Sequence, residues 1–191
     1  MLFYRFAKPF IWFYYKVLFR VKVVGSENIP EQGAVILCSN HISNNDPLLL
    51  GAYIKRRLNC MAKVELFNIP VLGFILRSLG AFPVNRDDPG MESFRASMNV
   101  LKDGKVLCIF AQGRRFKEID AKDAKAGVAL FAFKSGAEVI PIKITPGYRL
   151  FRRLYVKIGP AVDLSDFRGQ KARSEVLREA AEVIIGKVAE L

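Results

Sequence analysis

An α/β fold, one domain with a mostly parallel sheet flanked by helices, is predicted for this 191-residue chain by three features of its sequence. Short, unbroken apolar runs recur at 34–39 (AVILCS), 105–110 (KVLCIF), 138–144 (EVIPIKI) and 154–158 (LYVKI). Runs of that length without polar alternation fit strands buried on both faces. Stretches of helical character separate or follow them, at 47–56, 70–79, 91–102, 124–135 and 173–190, and strands alternating with helices argue for parallel pairing through crossovers. The length suits one domain, and a composition that is 51% hydrophobic supplies its core.

Taken in order, residues 1–20 (MLFYRFAKPFIWFYYKVLFR) are aromatic and aliphatic, with only Arg5, Lys8, Lys16 and Arg20 charged; the first acidic residue is Glu27. A secretory signal would order a basic start, an apolar stretch and a small-residue cleavage site. A spanning helix would need about 20 mostly apolar residues with few charges. Lys8, Pro9 and Lys16 interrupt both patterns. At 100° per residue the four basic positions share an arc of about 120°. The expectation is a helix lying in the membrane interface, charges toward headgroups and aromatics in the acyl boundary, kinked or divided at Pro9.

Strand 34–39 opens into the polar loop Asn40-His41-Ile42-Ser43-Asn44-Asn45-Asp46-Pro47. Asp46-Pro47 signals a helix start, the Asp accepting from the first free N–H groups and the Pro suiting the first turn. Weaker strands are expected at 59–62 and 80–84. Between them, 66–79 (LFNIPVLGFILRSL) reads either as a core helix started at Pro70 or as a second membrane-facing surface. Strand 105–110 leads into Ala111-Gln112-Gly113-Arg114-Arg115, and an amphipathic helix over 173–190 closes the chain. Loops that follow the strands are the natural site of chemistry in such a sheet.

Composition narrows the chemistry. A formal net charge of +12 points to an anionic partner: nucleic acid, a membrane surface or a phosphorylated substrate. The basic residues at the N-terminus are interleaved with bulky aliphatics, which suits lipid better than nucleic acid. Cys38, Cys60 and Cys108 lie in or beside apolar runs without CxxC spacing, as core residues of a chain in a reducing compartment would. With one histidine, His41, and no Cys cluster, no metal site or cofactor is expected.

His41 and Asp46 are the candidate catalytic pair. A polar loop of this length can fold back so that the carboxylate meets one ring nitrogen while the other faces a substrate. An alcohol is a poor nucleophile until a base takes its proton, and an imidazole held by a carboxylate suits that task. Ser39 and Ser43 flank His41, but neither lies in a G-x-S-x-G elbow, so a covalent intermediate is not expected.

Asn40-His41-x-x-x-x-Asp46-Pro47 resembles the His-x4-Asp block of the glycerophospholipid acyltransferases. Gly80-Ala81-Phe82-Pro83-Val84-Asn85-Arg86 is similar to the family's second block. Phe110-Ala111-Gln112-Gly113-Arg114-Arg115 lies where the family has Phe-Pro-Glu-Gly-Thr-Arg, and Val139-Ile140-Pro141-Ile142 resembles its fourth block. The blocks occur in the family's order, and bacterial 1-acylglycerol-3-phosphate acyltransferases are the most similar members. The resemblance implies that His41 deprotonates the sn-2 hydroxyl of lysophosphatidic acid, with Asp46 orienting it, and that the hydroxyl attacks the thioester of acyl-CoA or acyl-carrier protein directly. It further implies that Arg86, Gly113, Arg114 and Arg115 bind the substrate phosphate, that Gln112 occupies the place of the third block's glutamate, and that Pro141 lies against the acyl chain. Residues 1–24 would be the membrane-associating helical segment and 25–191 the acyltransferase domain. Such a protein would be peripheral or monotopic on the cytoplasmic face of a bacterial plasma membrane, consistent with a basic surface facing anionic lipid. The alternatives are an acyltransferase for another acceptor (glycerol-3-phosphate or another lysolipid) and a non-catalytic membrane-lipid-binding relative. Gln112 and Arg114 keep both open, because they replace the family's glutamate and threonine and make the third block more basic.

Overall fold

The structure is a computed structural model that describes residues 2–85, 90–110, 125–167 and 169–191. Among the described residues the α-helices and strands are, in order, α1 (Leu2–Phe19), β1 (Lys22–Val24), β2 (Val35–Ser39), α2 (Asp46–Tyr53), β3 (Leu58–Lys63), α3 (Pro70–Ser78), β4 (Phe82–Val84), α4 (Met91–Lys102), β5 (Val106–Phe110), α5 (Gly127–Ser135), β6 (Glu138–Thr145), β7 (Tyr155–Ile158) and α6 (Ser174–Glu190), with strands and helices alternating from β2 to β6. The strands form one seven-stranded sheet in the order β1-β7-β6-β2-β5-β3-β4. Every pairing is parallel except β6 with β7. The sequence reading did not include β1. Three residues are too few for a local signal, and the strand exists because Lys22 to Val24 find Tyr155 to Lys157 across the sheet edge.

β2 is central, in register with β5 (Leu37 opposite Cys108) and with β6 (Leu37 opposite Ile140). Its five residues are all buried, which explains why its sequence shows no polar alternation. Val35 and Leu37 point into a core covered by Tyr15 and Phe19 of α1 and Leu49 and Leu50 of α2. Ile36 and Cys38 point into a second core built from α4, α5 and α6. All three cysteines are buried and free.

α1 has three faces. Tyr15 and Phe19 are buried in the α1/α2 core, and Ile11 and Leu18 pack against it. Phe6, Phe10 and Phe13 are 64%, 75% and 63% exposed, forming an apolar stripe with Tyr14 and Val17. Arg5, Lys16 and Arg20 lie exposed, and the Lys16 ammonium sits 4.4 Å over the Trp12 ring. Two expectations are corrected. Lys8 does not join the other cations facing outward. Its Nζ donates to the carbonyls of Ile54 and Lys55 at the end of α2, where a cation complements the helix terminus, and burial pushes its pKa down. Pro9 does not divide the helix, which runs unbroken from Leu2 to Phe19. No helix among the described residues is long and apolar enough to cross a membrane.

Candidate active site

Parallel strands bring their carboxyl ends to one edge of the sheet, and there the chain leaves β2 for the His41 loop. Asn40 fixes the exit. Its Nδ2 donates to the Ile144 carbonyl at 3.0 Å and its Oδ1 accepts from the Ile144 N–H at 2.8 Å. The side-chain amide thus copies a peptide unit and extends the β2–β6 pairing beyond the last backbone bond. All of this is buried, so both polar groups of Ile144 are satisfied within the protein.

His41 follows, 6% exposed, with Nδ1 2.7 Å from Asp46 Oδ2. Asp46 is fully buried. Its Oδ2 also accepts the backbone N–H groups of Ile42 (2.7 Å) and Ser43 (2.8 Å), and its Oδ1 accepts the Tyr148 hydroxyl at 2.8 Å. Four donors around one carboxylate are what make a buried anion tolerable. Here the expected capping role of Asp46 is corrected. The carboxylate turns back onto the loop before α2 rather than forward onto the free N–H groups of the helix, and the N-cap position belongs to Asn45, with no side-chain cap bond. The carboxylate therefore closes the loop around His41.

With Nδ1 held as donor to Asp46, Nε2 is the nitrogen left for chemistry. The imidazole stacks on Phe110, the last residue of β5, with ring centroids 4.2 Å apart and planes at 24°. That contact fixes the ring plane, and the electron-rich face of Phe110 favours the cation formed when the imidazole takes a proton. Burial and the Asp46 carboxylate raise the Tyr148 phenol well above its ordinary range, so it remains a donor. Tyr148 is absent from the sequence reading. The signal that could have found it is its place just past strand 138–144, which ends at the same sheet edge as 34–39. Tyr15 of α1 adds a hydrogen bond from its hydroxyl to the Asn45 carbonyl at 3.2 Å, gripping the same loop from outside.

The other expected site residues divide. Arg86, Gln112, Gly113, Arg114 and Arg115 lie outside the described residues; the chain enters those segments from the carboxyl ends of β4 and β5, on the His41 edge. Gly80 of the second block has φ +96°, and a Cβ there would lie 2.3 Å from the Leu58 carbonyl oxygen, so only glycine fits the turn from α3 into β4. Pro141 is buried in β6 opposite Cys38. It shares the sheet face of Val139, in the α4–α6 core, and its ring abuts Gly159 near Leu191. Phe110 and Tyr148, the ring contacts of the dyad, pack on the opposite face, so the structure does not bring Pro141 and His41 together. An apolar pocket lies between α1, α2, β3 and the end of α3, lined among others by Ile11, Pro47, Leu48, Leu58, Leu76 and Leu79; neither His41 nor Asp46 lines it. In the 66–79 segment Phe67 and Gly73 are buried while Ile69, Val71 and Phe74 are exposed.

A protein-family model described as Acyltransferase matches residues 20–145. The 1-acyl-sn-glycerol-3-phosphate acyltransferase of Bacillus subtilis (strain 168) is 30% identical over 177 residues, which are 90% of this chain and 87% of that protein. The protein of the same name from Borreliella burgdorferi is 28% identical over 158 residues, 76% of this chain and 62% of its own length. The crystal structure of the 1-acyl-sn-glycerophosphate (LPA) acyltransferase PlsC from Thermotoga maritima superposes with a TM-score of 0.68 at 26% identity, covering 98% of this chain and 80% of the other. The family match spans the His41–Asp46 loop and all but one of the strands that carry it, and the chain accordingly belongs to the Acyltransferase family and is an O-acyltransferase.

Proposed function

We propose that this acyltransferase moves a fatty acyl group from acyl-CoA or acyl-carrier protein to the sn-2 hydroxyl of lysophosphatidic acid, giving phosphatidic acid for phospholipid biosynthesis. The observation that carries the reading is the 2.7 Å contact of His41 Nδ1 with a fully buried Asp46 at the carboxyl end of β2. That the similar proteins are 1-acyl-sn-glycerol-3-phosphate acyltransferases supports the acceptor. Nε2 of His41 takes the hydroxyl proton as the oxygen attacks the thioester carbonyl. A C–O bond forms, the tetrahedral intermediate collapses with cleavage of the C–S bond, and the imidazolium returns the proton to the leaving thiolate. Asp46 holds the tautomer and steadies the transient charge.

Arg86, Arg114 and Arg115 bind the phosphate, Gly113 lets the backbone approach it, and Gln112 serves as a neutral acceptor among these cations. The acyl chain occupies the apolar pocket between α1, α2 and α3. The exposed stripe of α1 lies in the lipid surface, with Arg5, Lys16 and Arg20 toward the anionic headgroups of a cytoplasmic leaflet, and Val71 and Phe74 of α3 extend that contact.

The test is an assay of the full chain in mixed micelles with lysophosphatidic acid and each thioester in turn, beside His41→Ala, reading phosphatidic acid and free thiol. Phosphatidic acid from the wild type, with a loss of about 10²-fold or more in the variant, supports the reading. Turnover only with glycerol-3-phosphate or a phosphate-free lysolipid would move the acceptor elsewhere. Lipid binding without turnover on any acceptor would make the chain a non-catalytic relative.

A further inference from the structure

We propose that Tyr148 is a positioning residue for acyl transfer, its hydroxyl fixing the second carboxylate oxygen of Asp46 and thereby the orientation of His41. The inference rests on the reading of His41 as the base, but its geometry stands on its own. Asp46 has two oxygens with different duties. Oδ2 carries His41 Nδ1 and the two loop N–H groups, all from within five residues. Oδ1 has one contact among the described residues, the Tyr148 hydroxyl at 2.8 Å, from 102 residues away. Rotation of the carboxyl about its Cβ–Cγ bond would swing Oδ2 away from the imidazole, and a donor on Oδ1 resists that rotation. It also draws charge toward Oδ1, moderating the pull of Oδ2 on the Nδ1 proton.

The hydroxyl is held in place by its ring. Tyr148 packs edge-on against Phe19 (5.4 Å, 87°) and tilted against Tyr15 (6.3 Å, 54°), both on the buried face of α1. The segment that carries it is tied to the end of α1 by hydrogen bonds from Phe151 N to Leu18 O and from Leu154 N to Phe19 O. The support of the dyad therefore runs through the same helix whose outer face is apolar and exposed.

His41 is the single histidine of the chain, so the imidazole N–H signals in a proton–nitrogen NMR spectrum report on this site alone. The experiment compares full-length wild type, Tyr148→Phe and His41→Ala. Tyr148→Phe keeps the ring against Phe19 and Tyr15 and removes only the hydroxyl. The expected result is a fall in kcat of about tenfold with KM for lysophosphatidic acid within about twofold, and a downfield move of the Nδ1–H proton as Oδ2 gains charge. A kcat within twofold of wild type, or an imidazole signal that stays in place while kcat falls, would overturn the proposal; the second result would make Tyr148 a packing residue only. If His41→Ala retains activity, the base assignment itself fails. If His41→Ala is inactive and Tyr148→Phe is indistinguishable from wild type, the Tyr148 proposal fails alone.

Discussion

Replacing Asp46 by asparagine separates what its charge does from what its shape does. Oδ2 accepts three N–H donors and Oδ1 one hydroxyl. An asparagine can place its carbonyl oxygen where Oδ2 lies, keeping all three N–H bonds. Its NH₂ group then meets the Tyr148 hydroxyl, which can turn to accept. The loop is retained and the negative charge is lost. A hydrogen bond to a charged partner contributes about 1.5–3 kcal/mol, against about 1 for a neutral pair, and the difference grows when the imidazole becomes cationic during proton transfer. At 1.36 kcal/mol per decade of rate, the ground-state difference of about 0.5–2 kcal/mol lowers kcat by about 2–30-fold, and its growth as the imidazole becomes cationic takes the expected loss beyond about threefold. Asp46→Ala behaves differently. It strands the Ile42 and Ser43 N–H groups and the Tyr148 hydroxyl, at about 1–3 kcal/mol each, which together approach the whole stability of a domain, about 5–15 kcal/mol. The assay follows thiol release in mixed micelles, with unfolding by circular dichroism on the same samples. Asp46→Asn with a kcat within threefold of wild type would refute the electrostatic role. A collapse of its unfolding midpoint to that of Asp46→Ala would show that the amide does not fit as argued.

Three further outcomes are expected. Asn40→Ala leaves the buried N–H and carbonyl of Ile144 without their side-chain partners and should cost about 2–4 kcal/mol, lowering the thermal midpoint by about 5–15 °C; an unchanged midpoint would show that water replaces the amide. Tyr15 and Tyr148 have folded-state pKa values pushed up, by burial first and then by neighbouring groups, Tyr14 and after it Asp46 for Tyr15, and Asp46 for Tyr148. The stability they contribute is therefore complete below the unfolded value of about 10 and is lost as pH rises above it, by up to about 1.4 kcal/mol per pH unit for each group. Tyr148→Phe should flatten that alkaline decline in urea titrations, and an unaltered slope would contradict the assignment. Phe10→Glu, on the exposed stripe of α1, should weaken sedimentation with anionic vesicles while leaving the unfolding midpoint within about 2 °C, whereas Tyr15→Ala, in the core, should lower stability by about 3–5 kcal/mol; vesicle binding unaffected by Phe10→Glu would remove α1 from the membrane contact.

The amino-acid sequence by itself determined most of the frame. The apolar runs at 34–39, 105–110, 138–144 and 154–158 became β2, β5, β6 and β7, and the helical stretches became α2 to α6 within a few residues, because periodicity and terminal signals act over a few residues and need no knowledge of neighbours. The five-residue spacing of His41 and Asp46 likewise contained their contact. What the sequence left open is what depends on strand order and on which face a residue is given. The aim of the Asp46 carboxylate was set by two loop N–H groups and a tyrosine 102 residues away. Lys8 was taken from the exposed cations of α1 by the end of α2, and Pro141 was put on the sheet face opposite the contacts of His41. β1 formed only because β7 offered it an edge. Each of these is a long-range pairing whose partner is chosen by how the whole sheet is assembled, and a local pattern cannot encode that choice.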